Sequence, residues 1–274
     1  MKILLINDDG IHAPGLWAAA GALRHAGDVF VVAPDREQSG VGASLTLHDP
    51  VRVEPVTPDP GLSGDGASPF PVTAYSVAGT PADSCILALE SVVGEVDLVV
   101  SGINAGSNLG WDILVSGTVG AAIQGYVRGY PTIAMSVGAV SNPNFEVASR
   151  LLGLMAQRLS NNDLAAGLFL NVNLPSLPLD RIGGVKVTRL GRRSYGESVR
   201  EEGSGGGGGT GKQYRISRNR PISEEILDDT DIWALKNNDI SITPLHIALG
   251  FPEQIPEVED LLAGVSAQLL DRPD

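Results

Sequence analysis

Apolar residues in this chain come in short runs that switch between two periods. Ile3 to Ile6 is a continuous apolar run that stops at Asn7-Asp8-Asp9-Gly10, which predicts a strand buried on both faces and then a tight turn. Gly15 to Ala26 predicts a helix with Leu16, Ala19, Ala20 and Leu23 on one face. Asp28 to Ala33 predicts a second strand, ended by Pro34-Asp35. A polar loop over Arg36 to Ser44, extended chain over Leu45 to Val56 and a Pro/Gly/Ser loop over Asp59 to Pro71 follow. Tyr75 to Ala78 is a short strand. Thr80-Pro81-Ala82-Asp83 then opens a helix through Leu89, with Thr80 as N-cap, Pro81 at the first helical position and Asp83 completing a capping box.

The same alternation continues with a strand at Val96 to Ser101, a helix from Ser116-Gly117-Thr118 to about Arg128, and a strand at Thr132 to Val137. A helix at Phe145 to Leu159 and a strand at Gly167 to Asn173 complete it. Strands alternating with helices predict an α/β fold with a mostly parallel sheet covered by helices. After residue 180 the pattern changes. Val185 to Leu190 and Asp239 to Thr243 read as strands around a long polar excursion, which contains the flexible Gly-rich stretch Gly203 to Gly211. Ile255 to Leu270 reads as a closing helix with Val258, Leu261, Leu262, Val265 and Leu269 on one stripe. The expectation is a single domain over residues 1–274, with a catalytic core at 1–180 and an extension at 181–274.

Composition narrows the function. Against 19 basic residues stand 32 acidic ones, a formal charge of −13. A general nucleic-acid polymer needs a positive footprint and is not the expected ligand. A small anion remains possible, because a divalent cation in an acidic site supplies positive charge locally. Cys85 is alone, so neither a disulfide framework nor a multi-cysteine zinc site is expected, and it reads as a small buried hydrophobe. The acids at Asp8 and Asp9 interrupt the first apolar run too early for a signal peptide, and no run is long enough to span a membrane. The expected setting is the cytoplasm, without a membrane partner.

Ligands of a parallel sheet gather outside the carboxyl ends of its strands. Taken alone, Asp8-Asp9 there reads as a solvated strand end closed by an Asx turn. Three further loops change that reading: Ser39 after the second strand, Ser101 to Gly110 after the strand at Val96, and Ser116 to Gly120 at a helix start. In a doubly wound sheet all of them share the edge that holds the two acids. Asp8 and Asp9 offer anionic oxygens to a hard cation such as Mg²⁺ or Mn²⁺, and Ser39 and Asn104 offer neutral ones. Ser116, Gly117 and Thr118 present hydroxyls and free backbone N–H groups at a helix N-terminus, a seat for phosphate. The four histidines show no metal-ligand spacing, and His12, near Asp9, is a turn residue that could line the pocket. Gly206 to Gln213 mimics a phosphate loop but fails it. Gln213 stands where a hydroxyl is needed, and no apolar strand precedes it.

Taken together, Asn7-Asp8-Asp9-Gly10, Pro34 to Gly40, Gly79 to Asp83, Ser101 to Asn108, Ser116 to Ala122, Thr230-Asp231 and Ile240 to Leu245 resemble the SurE family of survival proteins, metal-dependent 5′/3′-nucleotidases. The resemblance implies a Rossmann-like domain with a C-terminal hairpin and helix extension. It implies hydrolysis of nucleoside monophosphates to nucleoside and phosphate with one divalent cation per subunit, held by Asp8, Asp9, Ser39 and Asn104. Asn108, Ser116, Gly117 and Thr118 fall on the phosphate side, and the expected assembly is a homodimer or homotetramer exchanging C-terminal segments. One stretch departs: where the family carries an aromatic-rich Tyr-Trp run, this chain has Gly203 to Gly211 and then Tyr214-Arg215-Ile216. Two rivals remain open. A phosphatase with an aspartate nucleophile wants two acids separated by one residue, and here they are adjacent; a nucleotide-binding regulator would keep the cleft without turnover.

Overall fold

The structure is a computed structural model that describes residues 1–274 except 60, 61, 63–69, 161–166, 193, 194, 205–211, 222–225, 251, 264, 266–268 and 270–274. Its strands are β1 (Lys2–Ile6), β2 (Asp28–Pro34), β3 (Val53–Val56), β4 (Val72–Val77), β5 (Leu98–Ala105), β6 (Thr132–Val137), β7 (Phe169–Leu174), β8 (Val185–Val187), β9 (Tyr195–Ser204), β10 (Lys212–Pro221) and β11 (Ile240–Pro244). The helices are α1 (Pro14–Leu23), α2 (Pro81–Leu87), α3 (Gly117–Tyr126), α4 (Glu146–Ser160), α5 (Asp231–Lys236) and α6 (Ile255–Leu261).

One sheet runs in the order β3-β4-β2-β1-β5-β6-β7-β11-β8, and β9 pairs with β10 as a separate antiparallel hairpin. The strands from β4 through β7 in that order are parallel, β3 is antiparallel to β4, and β11 is antiparallel to β7 but parallel to β8. This is the expected α/β architecture. Strand β1 lies between β2 and β5, so the chain leaves it on one side and returns on the other. That reversal opens a crevice at the carboxyl end of β1.

The core explains why β1 reads as unbroken apolar residues. Leu4 and Ile6 pack with Val32, Cys85 and Ala121 on one face, while Ile3 and Leu5 pack with Leu16, Leu23 and Leu152 on the other. Each such side chain contributes about 1.5–3 kcal/mol of burial. Cys85 is buried there, and burial pushes its thiol up to about 12, so it is an inert core residue. The capping box of α2 forms as its sequence predicts: the Asp83 N–H donates to Thr80 Oγ1 at 3.0 Å and the Thr80 N–H to Asp83 Oδ2 at 2.9 Å.

Several expectations shift. The extended stretch from Leu45 shrinks to Val53–Val56, because Thr46 turns away to hydrogen-bond Asp83 through its N–H at 2.9 Å and its hydroxyl at 2.6 Å. Strand β5 continues past Ser101 to Ala105, with a shift in its pairing to β6 between Ser101 and Asn104. The strand at Val185 ends at Val187. The closing helix is α6, which ends at Leu261, and part of the run expected up to Leu270 lies outside the described residues. So do residues 205–211 of the Gly-rich stretch, and with them most of the phosphate-loop mimic. Polar residues around it form the long strands β9 and β10. Among the described residues no helix is long and apolar enough to cross a membrane.

Candidate functional site

Strand β1 ends at Asn7, whose side chain closes the turn that follows: Asn7 Oδ1 accepts the Gly10 N–H at 3.2 Å, and Asn7 Nδ2 donates to the Gly10 carbonyl at 3.0 Å. Gly10 sits at φ +96°, and a Cβ there would stand 3.0 Å from the Arg36 carbonyl carbon. Only glycine allows both the turn and the approach of the loop after β2. That loop docks by the Gln38 N–H, which donates to the Asp8 carbonyl at 2.7 Å. The local chemistry of seven to ten residues thus brings the Ser39 loop beside the acid pair.

Asp8 is 4% exposed and takes a hydrogen bond on Oδ1 from the Thr118 hydroxyl at 2.5 Å. Burial is the main cause that pushes its carboxyl up to about 6, with Asp9 adding to the rise and Thr118 opposing it. Burial also raises Asp9, helped by the charge of Glu37 and opposed by the Ala105 N–H, which donates to Asp9 Oδ2 at 3.0 Å. Ser39 is exposed and donates its hydroxyl to Glu37 Oε1 at 2.9 Å. Asn104 is buried and donates its Nδ2 to the Gly106 carbonyl at 2.6 Å, which leaves its carbonyl oxygen as the donor atom toward a cation.

The N-terminus of α3 closes the site. Ser116 Oγ accepts the Val119 N–H at 3.2 Å, so Ser116 is a helix cap as well as a phosphate candidate. A Cβ on Gly117 would lie 2.8 Å from Asp8 Cβ and 2.9 Å from Asp8 Oδ2, so glycine is what lets the helix end reach the acid. A Cβ on Gly120 would meet the Gly42 carbonyl at 2.3 Å, and the Gly42 N–H donates to the Val115 carbonyl at 3.0 Å. The Ser39 loop therefore packs directly on α3. Asn108 is buried at the back, its Nδ2 donating to Ser136 Oγ at 2.9 Å and lying 3.5 Å from Thr118 Oγ1.

All eight residues singled out from the sequence thus lie on the elements that border one crevice. The donor set suits a hard cation: two carboxylates beside neutral serine and asparagine oxygens, with the α3 N-terminus brought against Asp8 because Gly117 has no Cβ. Among the described residues no cluster of three His, Cys, Asp or Glu competes for that role. His12 is exposed on the turn after β1.

Sequence reasoning assigned no role to five residues. Asn7 sets the turn, Glu37 holds the Ser39 hydroxyl, and Asn171 and Asn173 bond the main chain of Asn108. Asp231 is buried and accepts the N–H groups of Gly110 and Gly191, both at 2.7 Å. Two polar residues at alternate positions of an otherwise apolar strand were the available signal for Asn171 and Asn173.

A model of the survival protein SurE family matches residues 3–197. A protein named 5′-nucleotidase SurE from Dehalococcoides mccartyi (strain CBDB1) is 44% identical over 272 residues, covering 97% of each chain. One of the same name from Heliobacterium modesticaldum is 40% identical over 274 residues, covering 99% of this chain and 96% of its own. The crystal structure of the SurE protein from Aquifex aeolicus superposes with a TM-score of 0.78 at 36% identity, covering 95% of this chain and 99% of that one.

Proposed function

Because this chain belongs to the survival protein SurE family, we propose that it is a 5′-nucleotidase, hydrolysing nucleoside 5′- and 3′-monophosphates to nucleoside and phosphate. The observation that carries the reading is the Thr118–Asp8 hydrogen bond at 2.5 Å, which joins the acidic end of β1 to the N-terminus of α3. Metal candidates and phosphate candidates meet there.

In this reading Asp8, Asp9, Ser39 and Asn104 hold one Mg²⁺ or Mn²⁺ ion. A bound divalent cation would polarise the phosphoryl oxygen and lower the pKa of water for in-line attack. The protein supplies the rest. Ser116, Gly117 and Thr118 offer donors and the positive end of the α3 dipole to the phosphate oxygens, in a chain whose net charge of −13 would otherwise repel them. Asn108 stands behind Thr118 and orients its hydroxyl. Burial of Asp8 keeps bulk water from screening that corner, which strengthens each interaction. The acids act as ligands, not as nucleophiles, since both carboxylates serve the same cation.

The assembly we propose is a homodimer or homotetramer working in the cytoplasm. Val258, Leu261, Leu262 and Val265 of the closing segment are exposed in the single chain. A groove of about 760 Å³ lined by Trp111, Leu114, Phe169, Leu245 and Ile247 offers apolar surface for a second copy. The test is phosphate release from a panel of nucleoside monophosphates. Turnover should require added Mg²⁺ or Mn²⁺ and disappear with EDTA; full activity in metal-free buffer would sink the proposal.

A further inference from the structure

We infer that Asn171 and Asn173 are positioning residues that clamp the main chain of Asn108 and thereby fix the wall of the site against which phosphate is read. The inference rests on the phosphate side of the proposed function. Between Ala105 and Gly110 the chain has no regular structure, so its peptide groups need partners from elsewhere. Side chains provide them. Asn173 Oδ1 accepts the Asn108 N–H at 2.8 Å, while Asn173 Nδ2 and Asn171 Nδ2 donate to the Asn108 carbonyl at 3.0 and 2.9 Å. The Asn173 amide thus grips both polar groups of one residue's main chain, as a neighbouring strand would. Farther along, the Gly110 N–H is held by the buried Asp231 Oδ2 at 2.7 Å.

The consequence reaches the acid pair in three steps. With its backbone fixed, Asn108 directs Nδ2 to Ser136 Oγ at 2.9 Å and toward Thr118 Oγ1 at 3.5 Å, and Thr118 in turn donates to Asp8 at 2.5 Å. A role in packing alone does not explain the two amides. Both are fully buried, two residues apart on one face of β7, in a strand whose other buried residues include Phe169, Val172 and Leu174. Leucine would fill the same space without a polar group to satisfy. Asn171 Oδ1 even lies buried with no hydrogen-bond partner among the described residues. Such an orphan is costly, and the bond that Asn171 Nδ2 makes to Asn108 is what the amide provides in return.

Asn173→Leu removes two of the three bonds at nearly constant volume, and Asn171→Leu removes one together with the unpaired oxygen. Four measurements separate the possibilities: thermal unfolding, hydrogen exchange of peptides covering residues 105–111, Mn²⁺ affinity, and inhibition by inorganic phosphate. For Asn173→Leu we expect faster exchange over 105–111, unchanged Mn²⁺ affinity, and KM and phosphate inhibition constants raised on the order of tenfold. Asn171→Leu should shift the same quantities less, and its fold does not depend on Asn173 being replaced. Folded variants that bind phosphate like the wild type overturn the inference. A wild type that turns over nucleotides yet is not inhibited by phosphate would remove the phosphate reading itself, and the clamp's purpose with it.

Discussion

Ile3, Leu4, Leu5 and Ile6 on β1 are fully buried by the sheet and its helices, whereas Leu261 on α6 is 77% and Leu249 on the segment before it 88% exposed. The β1 region satisfies itself within one chain: its apolar side chains find a core, and the Asn7, Asp8 and Asp9 side chains find partners in the turn at Gly10, on α3 and at the end of β5. The extension does not. Val187, Val199 and Ile216 on its strands stand in solvent together with α6. Exposed apolar surface of this kind is where proteins meet other molecules, and it is the basis of the proposed assembly. The difference teaches that one part of the chain satisfies its apolar and polar groups internally while another leaves apolar side chains bare, and the proposed roles in catalysis and assembly divide largely along that line.

Three experiments would break or sharpen that division. The largest effect belongs to Asp8→Ala, which should reduce nucleotidase turnover by on the order of a thousandfold or more while leaving the far-UV spectrum and oligomeric state unchanged. A change of assembly in that variant would join what the structure separates. Next comes Leu261→Asp combined with Leu262→Asp, which places charges on the exposed stripe of the extension. Self-association, followed by sedimentation, should weaken by roughly a hundredfold, with Mn²⁺ affinity retained; a wild type that is itself monomeric would remove the assembly half of the comparison.

The smallest effect is a pH dependence confined to the catalytic half. Asp8 has its folded value raised from 3.8 to about 6, so the folded chain holds this proton more tightly than the unfolded one. Without a cation, the carboxyl therefore costs nothing below 3.8, progressively more as pH rises from 3.8 to about 6, and a constant amount above that. The penalty amounts to on the order of 3 kcal/mol at neutral pH. A cation must displace the same proton, so Mn²⁺ affinity measured calorimetrically should fall by up to about tenfold per pH unit below that value. The profile should be the same in the charged α6 variant; a shifted profile would show that the extension reaches the acids.

Legibility in the sequence followed the range of the interaction responsible. The strand at Ile3, the turn at Gly10 and the capping box at Thr80 are set by residues within a few positions of one another, and their signals were plain. The stretch after Leu45 was not, since what bends Thr46 out of a strand is Asp83, 37 residues on. Nothing local announces that the Glu37 carboxylate receives the Ser39 hydroxyl. The candidate metal and phosphate residues were legible because oxygen donors recur at successive strand ends, a pattern that the doubly wound topology turns into one place. Their supports, Asn171 and Asn173 on β7 and Asp231 at the start of α5, come from elements that the topology adds later, and spacing alone does not assign them that role.

The bond between Thr118 and Asp8 spans 110 residues of sequence. No hairpin or single βαβ unit contains both partners: the bond needs β5 paired beside β1 and α3 packed against β5. A half-formed sheet therefore holds acids and phosphate donors apart. Closing a loop of that length carries an entropic cost that grows slowly with its length, so the proposed site depends on the finished topology and not on any local segment. The proposed acid and phosphate sides of the site therefore share one property: neither is complete until strands far apart in sequence have met.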